Sequence, residues 1–403
     1  MRICMVLLGY FPPDIRIERE AGALLEAGHE VYLLSLGRRG TPREEVINGI
    51  RVIRTPPSEG FLSNLLWFSM FLESPLYRRE LERLIRQHEI EVIHVHDLPL
   101  VKTAVSVAKK FNIPVVADLH ENYPEMVRES GRKGLNWRGR IFDSLVLPIW
   151  RWKRLERAVL QRVSRVITVS DEMREHYVND CGVPPEKVTV IMNTEDLKLF
   201  DSIEIDEPLV ERYRDYYVIS YIGGFDPLRG IDIAIKSMPK VLERIAKAKL
   251  LLVGGKGPSG FEGELRRLCK ELKVESSVEF TGWVDFSLVP SYIAASDICL
   301  VPYHPGGNTD IGIPHKLFQY MAMGKPVIVT DRRALRRIVE ECNCGIVVPP
   351  DHDKMAEAII ELYEDPEYAR RLGENGRRAV EEKYNWERDA RKLRDLYASL
   401  GSS

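Results

Sequence analysis

Short apolar runs alternate with longer stretches whose apolar positions recur every three or four residues, almost throughout the chain. In the first half the runs predict strands at Arg2–Leu8, Glu30–Leu36, Glu91–Val95, Pro114–Leu119, Arg165–Val169 and Lys187–Met192. Helical patterns such as Ile15–Ala27 and Pro99–Phe111 lie between them. Strands that are apolar at nearly every position, separated by helices, mean a parallel sheet covered on both faces. The pattern then restarts. Strands are expected at Tyr217–Ile222, Lys249–Val253, Ser277–Phe280, Asp297–Val301, Pro326–Thr330 and Gly345–Val348, with helices starting near Gly230, Phe261, Phe286, Pro314, Arg332 and His352. The acidic Asp201–Pro208 follows neither period and reads as a linker.

A chain of 403 residues is also too long for one hydrophobic core. The expectation is two doubly wound α/β domains, residues 1–200 and 209–385, each Rossmann-like. Ligands of such sheets bind beyond the carboxyl ends of the strands, so the loops there, facing an interdomain cleft, are the place to look.

Composition narrows the class without changing it. An apolar fraction of 44% and a charged fraction of 29% are those of a soluble globular protein. The formal charge of -2 gives no global reason for a nucleic-acid partner. The apolar run Ile3–Leu8 is too short for a signal segment or a span, and Gly60–Leu72 is broken by Ser63, Asn64 and Ser69, so a cytoplasmic protein is expected. The six cysteines are scattered and read as free thiols. Cys342-Asn-Cys344 has no second pair at metal-site spacing, so no metal is expected.

Three loops carry candidate chemistry. Gly223-Gly-Phe-Asp-Pro-Leu-Arg229-Gly230 joins a strand to a helix. Its glycines let backbone N–H groups approach a phosphate, and Arg229 adds a forked cation; a tight turn alone would use the same glycines. Gly255-Lys-Gly257-Pro-Ser-Gly260 fits the dinucleotide fingerprint, with Glu279 downstream, but follows the second strand of its domain, and Pro258 interrupts it. Pro305 to Lys316 offers Gly306, Gly307, Asn308, Thr309, Asp310 and Gly312 before a helix that ends at Gly324, suiting a hydroxyl-rich anionic ligand.

In order and spacing the chain resembles the retaining GT-B glycosyltransferases of glycosyltransferase family 4 over nearly its whole length. The resemblance rests on Tyr10-Phe-Pro-Pro-Asp14, Gly28-His-Glu-Val31, Val92-Ile-His-Val-His-Asp97 and Asp118-Leu-His120-Glu-Asn-Tyr-Pro124. In the second half it rests on Tyr221-Ile-Gly-Gly with Arg229-Gly230, Val253-Gly-Gly-Lys-Gly-Pro258, Val278-Glu-Phe-Thr-Gly282 and Lys316-Leu-Phe-Gln-Tyr-Met-Ala-Met-Gly-Lys-Pro326. It implies two facing domains, the first reading the acceptor and the second holding a nucleotide-sugar donor, with helix 386–400 returning to the first. Transfer of a UDP- or GDP-linked sugar, without cofactor or metal, would follow.

By the same resemblance Gly223, Gly224, Arg229 and Lys316 would hold the donor diphosphate, and Gly282, Trp283 and Val284 the base. Gly307, Asn308, Gly312 and Ile313 would line the donor sugar, and His120 and Asp310 would act at the reacting centre. The family's paired glutamates fall on Ile311 and Gln319; an amide can still meet ribose hydroxyls, whereas Ile311 cannot, leaving Asp310 or the Gly312 and Ile313 amides for the sugar. Tyr10, Phe11, Asp14 and Arg16 would face the acceptor, unless that Pro-rich loop is merely a stiff connection.

From Arg128 to Arg165 there are eleven Lys/Arg against three acids, with Trp137, Trp150 and Trp152 interleaved. Segments 128–165 and 60–72 therefore suit a surface docking on anionic lipid at the inner face of a membrane, or ordinary helices with a solvated charged face. Docking would make the acceptor a glycolipid or a lipid-linked glycan. Two alternatives keep the fold: a sugar-nucleotide epimerase, which needs no acceptor loop, and a non-catalytic sugar-nucleotide-binding regulatory subunit, which would not hydrolyse the donor.

Overall fold

A computed structural model describes residues 1–56, 71–130, 148–255 and 257–401. The chain divides into two compact units, one comprising Met1–Met192 with Asp389–Ser403, the other Asn193–Arg388. The division falls upstream of Asp201–Pro208. That stretch is structured at both ends, closing the short helix Leu197–Asp201 and supplying Asp206, which caps Glu207–Arg212 through the Leu209 amide.

The first unit is built on β1 (Arg2–Val6), β2 (Glu30–Ser35), β3 (Glu44–Ile47), β4 (Ile50–Arg54), β5 (Val92–His96), β6 (Val115–Leu119), β7 (Arg165–Thr168) and β8 (Val188–Val190), in the order β3-β4-β2-β1-β5-β6-β7-β8. Every pairing is parallel except β3 with β4. Strands β1, β5 and β6 are buried along almost their whole length, as sheet centres with helices on both faces must be. Because β1 is flanked by β2 on one side and β5 on the other, the strand order reverses there. Residues after β1 and β5 consequently open into the crevice where α/β sheets bind ligands.

The second unit carries β9 (Tyr217–Gly224), β10 (Ala248–Gly255), β11 (Val278–Gly282), β12 (Ile298–Val301), β13 (Val327–Thr330) and β14 (Gly345–Val348), all parallel, in the order β11-β10-β9-β12-β13-β14. Its reversal lies between β9 and β12. Gly223 and Gly224 end β9, and Tyr303 follows β12, so they share that carboxyl edge. The glycine at 257 is dictated by packing: a Cβ there would sit 1.6 Å from the Phe225 carbonyl oxygen, so the loops after β9 and β10 can meet only at a residue without a side chain. This structural role accounts for part of the fingerprint-like spacing.

Candidate functional site

In the second unit, the carboxyl edge of β9 and β12 gathers two cations. Pro227–Arg229 forms a 3-10 turn opened by Asp226, whose carboxylate accepts the Leu228 amide at 2.8 Å. The turn aims Arg229 at Tyr303: a guanidinium nitrogen donates to the phenol oxygen at 2.5 Å, and the guanidinium carbon lies 4.7 Å from the ring centre. Lys316, from helix His315–Ala322, rests its ammonium 3.6 Å from the centre of the Tyr221 ring. Gly223 has φ 138°, and a Cβ there would come 2.7 Å from Lys316 Nζ, so a glycine makes room for the ammonium.

Burial, with the Arg229 charge nearby, pushes Lys316 well below the ordinary lysine range. Among the described residues no carboxylate stands within ion-pair distance of Lys316. Two basic side chains gathered against tyrosine faces at a glycine-rich strand edge suit an anion.

Other residues expected at the donor are spread around this edge. Gly282 ends β11 with φ 74°, followed by Trp283, which is 64% exposed, and the half-buried Val284. Gly307, Asn308 and Asp310 form the short helix Gly307–Ile311. Thr309 anchors it by donating to the His304 carbonyl at 2.8 Å. Asp310 accepts the Arg333 amide at 3.3 Å, with Arg332 at 3.9 Å, so its carboxylate sits at the start of helix Arg333–Cys342. Ile311 and Ile313 are buried, with Gly312 half-buried between them.

Gln319 is also buried, and its amide nitrogen donates to Glu195 Oε2 at 3.0 Å. The same oxygen lies 2.9 Å from His315 Nε2, while Oε1 accepts the Asp196 amide at 3.1 Å. Nothing in the residue pattern around Glu195 marks it, because it lies outside any strand and meets Gln319 only through the tertiary fold.

In the first unit, Asp14 caps helix Ile15–Glu26 through the Arg16 and Ile17 amides and pairs with the Arg16 guanidinium at 3.2 Å. Burial alone would raise Asp14, but the Arg16 charge and hydrogen bond hold it below the usual carboxylate range. Phe11 is buried; Tyr10 is exposed with the Arg38 guanidinium 4.0 Å from its ring centre. The peptide bonds Phe11–Pro12 and Pro12–Pro13 are both cis.

Beside this loop lies a buried cluster around Asp118. Its Oδ2 meets His120 Nε2 at 2.5 Å and His96 Nδ1 at 2.9 Å, and His94 Nε2 stands 3.5 Å away. Glu20, from the capped helix, reaches His94 at 3.4 Å and His120 at 3.8 Å. His94 Nδ1 bonds the Tyr397 hydroxyl at 2.7 Å. Burial and the Asp118 charge raise Glu20 well above its normal range, so it is the protonated acid of the two. Burial lowers His94 to about 4. Burial opposes a charged His120 too, but Asp118 outweighs it and raises His120. Among the described residues His120 Nδ1 has no hydrogen-bond partner. His96, Asp118 and Glu20 were not among the expected site residues, though a signal existed: His94-x-His96 on β5 and Asp118-x-His120, which starts on β6 and ends just past it, have period-2 spacing, with His96 opposite Asp118 in register.

The two surfaces expected at a membrane are partly out of view: 57–70 and 131–147, including Trp137, lie outside the described residues. Trp150 is 61% exposed beside Arg151 and Arg154 along a groove of about 470 Å³ that also includes Phe71. Trp152 differs from the expectation. It is 1% exposed and packs against Tyr123 at 4.7 Å, because two residues along a helix turn a side chain to the opposite side. No helix of the described residues is long and apolar enough to cross a membrane.

Residues 15–199 match the model for Glycosyltransferase Family 4, and residues 216–365 that for Glycosyl transferases group 1. An uncharacterized glycosyltransferase of Methanocaldococcus jannaschii is 27% identical over 98% of both chains. The phosphatidyl-myo-inositol mannosyltransferase of Mycolicibacterium smegmatis is 25% identical, covering 95% of this chain and 89% of its own. Among solved structures, a sucrose-phosphate synthase from Thermosynechococcus elongatus superposes with a TM-score of 0.80 at 23% identity, covering 100% of this chain and 99% of its own.

Proposed function

Because the chain belongs to the family 4, group 1 glycosyltransferases and has the two parallel-sheet domains of the GT-B fold, we propose that it moves a sugar from a UDP- or GDP-linked donor to an acceptor hydroxyl, with retention of configuration. The observation that carries the donor half is the Arg229 and Lys316 pair at the β9 edge, with Lys316 pushed by burial well below the ordinary lysine range and, among the described residues, without a carboxylate partner. A nucleoside diphosphate supplies the missing negative charge. The same two cations stabilise the charge that builds on the diphosphate as the glycosidic bond breaks, so the transfer needs no metal at that position. The amides of Gly223 and Gly224 complete the diphosphate contact, Gly282, Trp283 and Val284 receive the base, and Gln319 meets the ribose.

Gly307, Asn308, Gly312 and Ile313 line the donor sugar in this reading, and Asp310 contacts it from the neighbouring helix turn. His120, whose affinity for a proton the Asp118 charge raises, offers Nδ1–H to the donor sugar and its phosphate. Tyr10, Phe11, Asp14 and Arg16 take the acceptor on the first unit. The acceptor is lipid-linked or a growing polysaccharide, met at the cytoplasmic face of a membrane; the exposed Trp150 among arginines and the mannosyltransferase relative of phosphatidyl-myo-inositol support this.

The test is thermal stabilisation by UDP-, GDP- and ADP-sugars and their free diphosphates, on the parent, Arg229→Ala and Lys316→Ala. Ligand at about a hundred times its dissociation constant adds about 2.7 kcal/mol. One base class should shift the parent and leave both variants unmoved. No shift with any donor, or equal shifts in all three proteins, would overturn the diphosphate assignment.

A further inference from the structure

A second constellation lies in the first unit, among residues with no part in the donor or acceptor reading. Glu156, on helix Ile149–Leu160, and Cys181 are both buried, and His176 is half-buried between them. His176 Nε2 lies 3.2 Å from Glu156 Oε2, Cys181 Sγ lies 3.5 Å from the same oxygen, and sulfur and imidazole nitrogen are 3.9 Å apart. Tetrahedral Zn²⁺, at about 2.3 Å from sulfur and about 2.0 Å from nitrogen and oxygen, separates its ligands by roughly 3.3–3.6 Å. The observed triangle is close to one face of that tetrahedron.

Two further observations agree. The other imidazole nitrogen, Nδ1, sits 2.8 Å from Asp180 Oδ2, so with a metal bound the Nδ1–H would donate to that carboxylate and leave Nε2 to face Glu156 and Cys181 as a ligand. His176 Nε2, a Glu156 oxygen and the Cys181 sulfur converge on one point, where a metal ion can replace the protons that now lie between them. In addition, His176–Asp180 is a π-helical turn, a wide local winding found disproportionately at functional sites, and it presents His176 and Cys181 to the same side. The Tyr177 hydroxyl within that turn is buried with no hydrogen-bond partner among the described residues.

We propose that Glu156, His176 and Cys181 bind a divalent transition metal of the zinc type, with Asp180 orienting His176. Binding expels the thiol proton: the Cys181 S–H bond breaks, sulfur bonds the metal as thiolate, and the proton leaves to solvent. Thiolate and carboxylate then neutralise the dication, and water fills the fourth position. Three ligands drawn from a helix and a following turn pin that corner of the first unit, a structural use independent of sugar transfer.

The experiment uses the full chain prepared without a histidine tag. Metal content is measured after exhaustive dialysis, and the metal-stripped protein is titrated with Co²⁺, in the parent, Cys181→Ser and Asp180→Asn. The expected result is about one metal per chain, and on Co²⁺ addition the intense visible bands of a tetrahedral site with a thiolate-to-cobalt band in the near ultraviolet. Cys181→Ser should lose the thiolate band, and Asp180→Asn should bind about 10–100-fold more weakly while keeping it. A parent that retains no metal and gives no thiolate band would overturn the proposal, leaving a protonated His176 to bridge the two carboxylates. A band that persists in Cys181→Ser would also overturn it, by assigning the thiolate to another cysteine. The parent spectrum decides the matter even where a variant fails to fold.

Discussion

Replacing Gln319 by glutamate, the residue expected from the family pattern, should damage this chain, and the structure says by how much. The Gln319 amide nitrogen is 3.0 Å from Glu195 Oε2, and the two residues are 5% and 1% exposed. A carboxylate in its place would set two buried acids oxygen to oxygen. Unit charges about 3 Å apart repel by about 5 kcal/mol at an effective dielectric constant of about 20. His315, 2.9 Å from the same oxygen, offsets part of this, leaving about 3 kcal/mol. The pair responds by keeping a proton, so one carboxyl titrates well above the unfolded value of about 4.3.

A folded acid with a raised pKa binds more protons than its unfolded counterpart, so stability is lost as pH rises through that window. Gln319→Glu should therefore melt close to the parent at pH 4.5 and about 6–12 °C below it at pH 8, at roughly 2–4 °C per kcal/mol for a unit of this size. Scanning calorimetry of the full chain at both pH values reads this directly. Adding Glu195→Gln should restore the melt at pH 8. Identical pH slopes for parent and Gln319→Glu, or no rescue by the second change, would refute the reasoning.

Gly257→Ala should destabilise by about 3 kcal/mol or more, since its Cβ would collide with a backbone oxygen, whereas Gly263→Ala, with nothing within 4 Å, should be neutral or stabilising; paired thermal melts compare them. His94, held neutral by burial with its pKa near about 4, charges on unfolding below about pH 6.5. Stability should thus fall by about 1.4 kcal/mol per pH unit across that interval, and His94→Phe should flatten this acid limb in urea titrations. A bound diphosphate should raise the lowered pKa of Lys316, so the calorimetric enthalpy of donor binding at pH 8 should vary with the ionisation enthalpy of the buffer, and Lys316→Met should remove that dependence.

The alternation of apolar strands with helices was legible because buried parallel strands leave a pattern any side of the sheet repeats. The antiparallel pair β3 and β4 escaped that reading, though a local signal was present: Asn48-Gly49 connects them with φ of 50° and 84°, the positive pair of a tight hairpin turn. Arg229 and Lys316 were legible as loop and helix-start cations. Their grouping against Tyr221 and Tyr303 was not, since only the sheet order brings β9 beside β12. Glu195 was illegible for a different reason. It is separated from Gln319 by 124 positions, and its neighbours carry no periodicity to say that it points inward.

The return of residues 389–403 to the first unit has a bearing on how the protein is made. Tyr397 bonds His94, Lys392 bonds the Val190 carbonyl, and Arg394 lies 3.7 Å from Glu26, so residues after 388 complete a unit begun by residues before 193. All of Asn193–Arg388 is synthesised before those contacts can form. On a translating ribosome, then, the unit that begins second is the first able to close. The earlier unit waits for residues 389–401, with His94 on β5 still lacking its Tyr397 partner.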